Sequence, residues 1–91
     1  MEIKHKETET KGSFYVGDDP INAEMTYSKA GDSLIIIDHT EVGEALKGKG
    51  VGLQLVQAAV EYARKHRLKI LPLCPFAKSV FEKKEALRDV L

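Results

Sequence analysis

The sequence contains very little of what builds disulfides, zinc sites or membrane spans. Cys74 is the single cysteine among 91 residues, which excludes an intrachain disulfide and a cysteine-based zinc site. The longest aliphatic run, Leu34 to Ile37, is far shorter than the roughly 20 residues that cross a bilayer. The N-terminus shows no apolar stretch of the kind that a secretory signal needs. A cytosolic protein without membrane contact is therefore expected.

The composition is typical of a small folded domain. The chain is 43% hydrophobic and 31% charged, which is too apolar for disorder, and residues 1–91 are predicted to form one monomeric domain. Its formal net charge is zero, but residues 1–46 carry four Lys or Arg against ten Asp or Glu, and residues 47–91 carry ten against four. The basic second half can hold an anionic ligand or attract the acidic first half, and charge alone leaves both explanations open.

Strand patterns fill the first half of the chain. Apolar or alternating runs at Ser13–Val16, Ile21–Ser28 and Leu34–Val42 are separated by Gly-Asp-Asp-Pro and Lys-Ala-Gly-Asp turn clusters, and a weaker alternation begins at Ile3. Short turns between successive strands predict an antiparallel meander. The run from Leu34 is the strongest strand, apolar at its start and polar at its far end.

The second half changes to a helical period. Apolar residues at helical spacing predict an amphipathic helix over Val51–His66, followed by a strand at Leu68–Leu73 that prolines confine to an edge. Pro75 suits the first turn of a second helix, from about Phe76 to Lys84. The tail, Ala86–Leu91, is predicted to add a last short strand. The expected class is α+β.

The most informative segment connects the strongest strand to the long helix. Gly48, Gly50 and Gly52 alternate there, so the backbone can turn tightly and bring its N–H groups close to a ligand. The helix that follows contributes unpaired N–H groups and the positive end of its dipole. With Lys47 and Lys49, these features form a phosphate cradle. A flexible turn without a ligand is the alternative.

Two common nucleotide motifs fit this segment poorly. Gly43 to Lys49 matches the start of a P-loop, but Gly50 stands where that motif needs Ser or Thr. A Rossmann fingerprint needs glycine where the chain has Leu53, and no alternating βαβ unit follows. Neither motif is therefore assigned.

A third pattern fits better. Lys47 to Gly52, K-G-K-G-V-G, resembles the Q/R-x-x-G-x-G/A pyrophosphate loop of the GNAT superfamily of acetyl-CoA-dependent N-acetyltransferases. Cys74 to Lys83 resembles a second family pattern, N-x-x-A-x-x-L-Y-x-K. The resemblance covers about residues 13–84, and the chain looks most like the small, single-domain members. It implies an α+β fold layered α/β/α, with a mixed, mostly antiparallel sheet and two helices.

The resemblance also implies how acetyl-CoA or CoA is held. The backbone around Val42 pairs with the pantetheine arm like an added strand, and N–H groups from Lys47 to Gly52 hold the pyrophosphate. The implied cofactor-binding residues are Val42, Lys47, Gly48, Lys49, Gly50, Val51, Gly52, Cys74 and Phe81. Lys78, Lys83, Lys84 and Arg88 are expected on a solvated helix face, with contact to the phosphates of the cofactor as the alternative.

Three departures from the family pattern matter. Lys47 replaces the usual Gln or Arg, Cys74 replaces an Asn that contacts the cofactor, and Phe81 replaces a Tyr that protonates the leaving thiolate. The pair of helices that usually follows the first strand has no room in this chain. The acceptor pocket is therefore expected to be open and shallow, or to be supplied by a partner.

Three residues are candidates for catalysis. Glu41 ends the strongest strand, and a partly buried carboxylate there would accept a proton from an ammonium substrate. His39 lies on the same face as Glu41 and is its candidate partner or an alternative base. Cys74 precedes a helix, which favours the thiolate, so it is a candidate nucleophile or hydrogen-bond donor to the departing thiol. A structural role remains the alternative for each.

The sequence thus predicts an acetyl-CoA-dependent N-acetyltransferase that acts on a primary amine of an acceptor that the sequence does not identify. A non-catalytic CoA-binding module, acting as a sensor or a partner subunit, is the second hypothesis. A nucleic-acid-binding domain is the third, and the acidic first half argues against it. No metal is expected, because His5 and His66 lack a second ligand at metal spacing and are predicted to lie on the surface.

Overall fold

The computed structural model describes residues 2–91, which form one five-stranded sheet, two α-helices and two 3-10 turns. The strands and helices are, in chain order, β1 (Lys4–Glu7), β2 (Lys11–Val16), β3 (Ala23–Ala30), β4 (Leu34–Val42), α1 (Val51–His66), β5 (Lys69–Pro72) and α2 (Pro75–Lys83). The 3-10 turns are Glu44–Leu46 and Glu85–Val90.

The strands lie in the order β1-β2-β3-β4-β5. The first three pairs are antiparallel, which confirms the predicted meander, and β4 pairs with β5 in parallel. A parallel pair needs a crossover connection, and α1 supplies it. Strand β5 is an edge strand that ends at Pro72, consistent with the missing N–H of proline.

Both helices pack on the same face of the sheet. One continuous core joins Tyr27 and Ile37 of the sheet to Leu55 of α1 and Phe81 of α2, all of them buried. On the opposite face Leu71 stays 43% exposed, and no helix of the described residues covers it. The predicted α+β class is confirmed. Within residues 2–91 both helices form a single layer on one face of the sheet, and the other face is open.

A bulge in β4 changes which side chains face the core. Tyr27 of β3 pairs with Ile37, but its neighbour Thr26 pairs with His39, so Asp38 is the extra residue. Because paired residues share a face, His39 and the residues alternating with it lie on the open face. Thr40 therefore turns toward the helices.

Beyond the bulge, β4 and β5 separate. Their pairing ends at Ile37 and Pro72, and the N–H groups of Leu73 and Cys74 both donate to the carbonyl of Ile37, at 3.0 and 3.1 Å. Residues 38–42 of β4 thus have no strand neighbour on the β5 side within the described residues. A gap opens there between the end of β4 and the start of α2.

The C-terminal segment does not form the predicted strand. It is a 3-10 turn over Glu85–Val90, held back against α1 by Arg64. The guanidinium of Arg64 donates to Asp89 Oδ1 at 2.7 Å and to the carbonyl of Ala86 at 2.9 Å. Val90 is buried in the core as a result. These side-chain contacts bend the chain away from the free edge of β5.

A cluster of rings and hydroxyls closes the end of the core that is formed by β1 and α1. Glu7 Oε2 accepts hydrogen bonds from the hydroxyls of Tyr27 at 2.8 Å and Tyr62 at 2.9 Å. His5 stacks on Phe14 with ring centroids 4.3 Å apart, and its Nε2 lies 2.6 Å from Tyr27 Oη. His5 is exposed, as predicted, although one face of its ring packs on Phe14.

This cluster makes stability sensitive to acid. Burial lowers the pKa of His5 below 6.5, and the hydroxyls of Tyr27 and Tyr62 lower the pKa of Glu7 below 4.5. Each group contributes its full stabilisation at pH values above the pKa that it has in the unfolded chain. That stabilisation is lost as the pH falls through the lower pKa that the group has in the folded state. The thermal midpoint is expected to fall steadily from pH 7 to pH 4, as measured by circular dichroism.

Two variants separate the contributions to this pH dependence. His5→Gln is expected to flatten the curve near and below pH 6.5, and Glu7→Gln to flatten it below pH 4.5. A His5→Gln curve parallel to that of the wild type over the upper range would contradict the assignment to His5.

Candidate active site

A groove runs from the gap between β4 and β5 across the start of α1 to α2. Its volume is about 460 Å³. One wall is the end of β4 with the glycine-rich loop and the first turn of α1, and the other is the exposed side of α2. The groove is lined by Val42, Leu46, Lys47, Gly48, Gly50, Val51, Gly52, Leu53, Phe76, Ser79, Val80, Lys83 and Lys84.

Two of the loop glycines provide backbone conformations that other residues rarely adopt. Gly48 has φ +77° and Gly50 has φ +75°, both in the left-handed region. Gly50 is the N-cap of α1, and it supplies no side-chain hydrogen bond to the helix. The N–H groups of the first helical turn also lack intrahelical partners. Apart from the chain neighbours, no heavy atom lies within 4 Å of a Cβ built at either glycine, so the space beside the loop at these two positions is open.

The third glycine allows two helices to meet. A Cβ at Gly52 would lie 2.5 Å from Cζ of Phe76, so the absence of a side chain lets the ring of α2 pack against the first turn of α1. Phe76 is 40% exposed and forms part of the groove wall. The position of Phe76 in the groove wall becomes visible only once α1 and α2 are packed.

The charged residues that line the groove are all basic. Lys47, Lys83 and Lys84 line it, and no acidic side chain does within residues 2–91. Lys47 also pairs with the exposed Glu44 at 2.8 Å. Lys83 and Lys84 are exposed, as expected for a solvated helix face, and they also line the groove. An anionic ligand would meet favourable charge along the whole groove.

Other predicted cofactor-binding residues lie outside the groove lining. Phe81 is 3% exposed and points into the core and toward a second cavity beyond α2, which Lys78 and Arg88 also line. Lys49 belongs to the loop, but it does not line the groove. Cys74 lies two residues before Phe76, deeper than the groove wall.

Cys74 is the N-cap residue of α2 and is 5% exposed. Its Sγ lies 3.4 Å from Oγ1 of Thr40, which the bulge has turned to this side of the sheet. Burial raises the pKa of the thiol, but hydrogen bonds from Thr40 and from the backbone at Phe76 and Ala77 outweigh it and leave the pKa below its usual value. These hydrogen bonds stabilise the charged form of the Cys74 thiol relative to an ordinary cysteine.

The other two predicted catalytic residues lie on the open face of the sheet. The side chains of Glu41 and His39 are 81% and 67% exposed, and His39 Nε2 lies 4.0 Å from Glu41 Oε2. Glu41 and His39 lie close together on one face, as predicted. The predicted partial burial of Glu41 is wrong. The structure places them across the end of β4 from Cys74.

Two kinds of feature are absent from the part of the chain that the structure describes. Within residues 2–91, no group of three or more His, Cys, Asp or Glu is arranged to hold a metal ion. No helix in that range has both the length and the apolar character needed to cross a bilayer.

The chain is similar to the GCN5-related N-acetyltransferase family in sequence and in structure. Residues 13–90 match the family model described as GCN5-related N-acetyl-transferase. A GCN5-like proposed N-acetyltransferase from Staphylococcus aureus is 40% identical, with a TM-score of 0.73, over 96% of this chain and 85% of that one. A search of curated proteins found no match.

More distant structures share the fold alone. Ribosomal-protein-alanine N-acetyltransferase from Brucella melitensis biovar Abortus 2308 is 15% identical, with a TM-score of 0.69 over 84% of this chain and 62% of that one. The tetramutant of the BH1408 protein from Bacillus halodurans is 16% identical, with a TM-score of 0.58 over 89% and 60%. Because the family model spans most of the sequence, the chain belongs to the GCN5-related N-acetyltransferase family.

Proposed function

We propose that the groove binds acetyl-coenzyme A and that the protein transfers the acetyl group to a primary amine. The observation that carries the proposal is the groove itself. The start of α1 lies in the groove and has no side-chain cap, and the charged residues of the lining are all basic. One end of the groove lies at the gap in the sheet beside Cys74. Family membership supports acetyl transfer in general.

The residues present fit this cofactor. A diphosphate would be held by the N–H groups from Gly48 to Gly52 and by Lys47, since an uncapped helix start binds anions. The free backbone edge at Val42 would pair with the pantetheine arm. Lys83 and Lys84 would meet further phosphate charge. The bound cofactor supplies a thioester whose acetyl group is transferred to the amine.

The chain's own groups have distinct tasks in the transfer. Cys74 holds a proton or a negative charge at Sγ, and Thr40 and the start of α2 stabilise the charged form. It acts as the acid for the departing thiol or as a nucleophile. On the open face, Glu41 with His39 takes the proton of the incoming ammonium, because a neutral amine is needed for attack.

A non-catalytic CoA-binding module remains the second candidate. The observation that favours it is Phe81, which stands where many relatives have a Tyr. Its side chain carries no hydroxyl and is buried away from the groove. A protein that binds CoA in the groove but acetylates no amine would support this candidate.

The cofactor assignment predicts where the protein responds to CoA. In an NMR titration, the amides of Val42 and of residues 48–52 are expected to shift. Gly50→Val is expected to weaken binding about tenfold or more, because its β-branched side chain strains a left-handed residue and fills the open space beside the loop.

Gly31→Val is the matched control. Gly31 also has a positive φ, +71°, and open space around its Cβ, but it lies in the turn before β4. The Gly31→Val variant carries the same kind of backbone strain as Gly50→Val, and it is expected to leave the affinity for CoA unchanged. Unshifted amides at residues 48–52, or equal losses in both variants, would contradict the assignment.

A further inference from the structure

The bulge of β4 carries a carboxylate that contacts β3 on both sides of the register shift. Asp38, the extra residue of the bulge, accepts hydrogen bonds from the hydroxyls of Thr26 and Ser28, the latter at 3.1 Å. Thr26 pairs with His39, beyond the shift. Ser28 pairs with Ile36, before the shift. One side chain on the open face thus joins two parts of the ladder whose registers differ by one residue.

These hydrogen bonds stabilise the bulge against a regular ladder. A bulge interrupts the backbone hydrogen bonds between two strands, so other contacts have to hold it in place. Hydrogen bonds to a carboxylate are stronger than those between neutral groups. Asp38 forms no salt bridge within residues 2–91, so its carboxylate is held by the two hydroxyls alone among the side chains. The three residues Asp38, Thr26 and Ser28 are here called the bulge clamp.

The bulge determines on which face Thr40 lies. A regular ladder continued from the pair of Tyr27 with Ile37 would place Thr40 on the open face, because a slip of one residue exchanges the two faces of a strand. With the extra residue in place, Thr40 pairs with Met25, which is fully buried on the helix side. The orientation of Thr40 toward the helices therefore depends on the register that the bulge clamp holds.

On the helix side, Thr40 meets the thiol of Cys74. The two side chains are in contact, with Oγ1 and Sγ 3.4 Å apart. Burial raises the pKa of this thiol, and hydrogen bonds from Thr40 and from the backbone at Ala77 and Phe76 lower it below its ordinary value. Thr40 is the one side chain among these donors. Its position is therefore the part of this environment that a change in the register of β4 would remove.

The charged side chains around Cys74 have other partners or face other surfaces. On β4, His39 and Glu41 lie on the open face, close to each other. On the neighbouring elements, Lys78 and Glu82 line the second cavity, Lys83 lines the groove, Lys69 donates to the carbonyl of Asp89, and Arg64 pairs with Glu61 and Asp89. The hydroxyl of Thr40 is thus the side-chain group that distinguishes this thiol from an ordinary buried one.

We propose that Asp38 is a positioning residue for Cys74. It holds the bulge in register through Thr26 and Ser28, and the bulge keeps the hydroxyl of Thr40 against the thiol. Asp38 lines no part of the groove, and it acts on the thiol only through Thr40. The consequence for acetyl transfer rests on the proposed function, whereas the effect on the thiol does not.

The experiment is a pH titration of the Cys74 thiol in the whole chain, without any coenzyme. Because the chain has a single cysteine, the carbon NMR signal of its Cβ is unambiguous and reports the thiolate fraction directly. Thr40→Val keeps the shape of the side chain but removes the hydroxyl, and it is expected to raise the titration midpoint by about one pH unit. Asp38→Ala is expected to raise the midpoint toward that of Thr40→Val. The double variant is expected to titrate like Thr40→Val alone.

Conservative variants separate the hydrogen bonds of the clamp from its charge. Asp38→Asn removes the charge but can still bond both hydroxyls, because its amide accepts from one and donates to the other, so its midpoint is expected to stay near that of the wild type. Thr40→Ser keeps the hydroxyl and is expected to do the same. Ser28→Ala removes one contact of the clamp, leaves the charge in place, and is expected to raise the midpoint by less than Asp38→Ala. Asp32→Ala, in the turn before β4, is the matched control and should titrate like the wild type.

Each result supports or overturns the inference. A wild-type midpoint in Thr40→Val or in Asp38→Ala, equal rises in Asp38→Asn and Asp38→Ala, or an additive rise in the double variant would overturn it. If Asp38→Ala does not fold, Ser28→Ala decides, and an unchanged midpoint there overturns the inference. Because no coenzyme is present, the test is separate from that of the proposed function. If CoA shifts residues 48–52 while the midpoints stay unchanged, only the role of Asp38 fails.

Discussion

Cys74→Ala is expected to lower the rate of acetyl transfer about 100-fold or more, while the dissociation constant for CoA stays nearly unchanged. The rate falls because the substitution removes the thiol, which can hold a proton or a negative charge beside Thr40. Affinity is retained because Cys74 lies behind the groove and contributes nothing to its lining. Steady-state kinetics and calorimetry measure the two quantities.

The matched variant, Cys74→Ser, tests the role of the sulfur. A serine hydroxyl has similar size but ionises far less readily, so activity is expected to stay low in both variants. Mass spectrometry after incubation with acetyl-CoA would show an acetyl group on Cys74 if it is a nucleophile. Full activity of Cys74→Ala would remove this residue from the mechanism.

The elements of the fold follow from local sequence patterns. Helix α1 begins and ends at the predicted residues, Val51 and His66, because its apolar stripe and the glycine before it are encoded within the segment. The strand predicted at Ala86–Leu91 failed for the opposite reason. Its conformation depends on Arg64, more than twenty residues away, which donates to the carbonyl of Ala86 and to Asp89. Such a long-range contact leaves no local pattern.

The candidate site likewise combines features that follow from local sequence with features that depend on distant contacts. The glycine loop is local, so the alternation of its glycines is enough to predict an anion site at the start of α1. The bulge at Asp38 is not local. Simple alternation from Ile37 places His39 and Glu41 on the core side, whereas one extra residue moves them to the open face and brings Thr40 to Cys74. Sequence analysis therefore missed Thr40.

The packing of Tyr27 depends on a glycine on the neighbouring strand. Gly12 pairs with Tyr27 across β2 and β3, and the tyrosine ring lies over the glycine. A Cβ at Gly12 would overlap Cζ and Oη of that ring. The ring has no room to move, because Tyr27 is fully buried and its hydroxyl is bonded to Glu7.

Gly12→Ala is therefore expected to destabilise the protein by about 3 kcal/mol, which lowers the thermal midpoint by about 12 °C or more. Gly31→Ala is the control: its Cβ meets open space, so it costs only the strain of a positive φ, about 1 kcal/mol. In a Tyr27→Leu background the ring is absent, and the added Cβ is expected to cost much less. Equal losses from Gly12→Ala with and without the ring would show that the overlap with Tyr27 is not the cause.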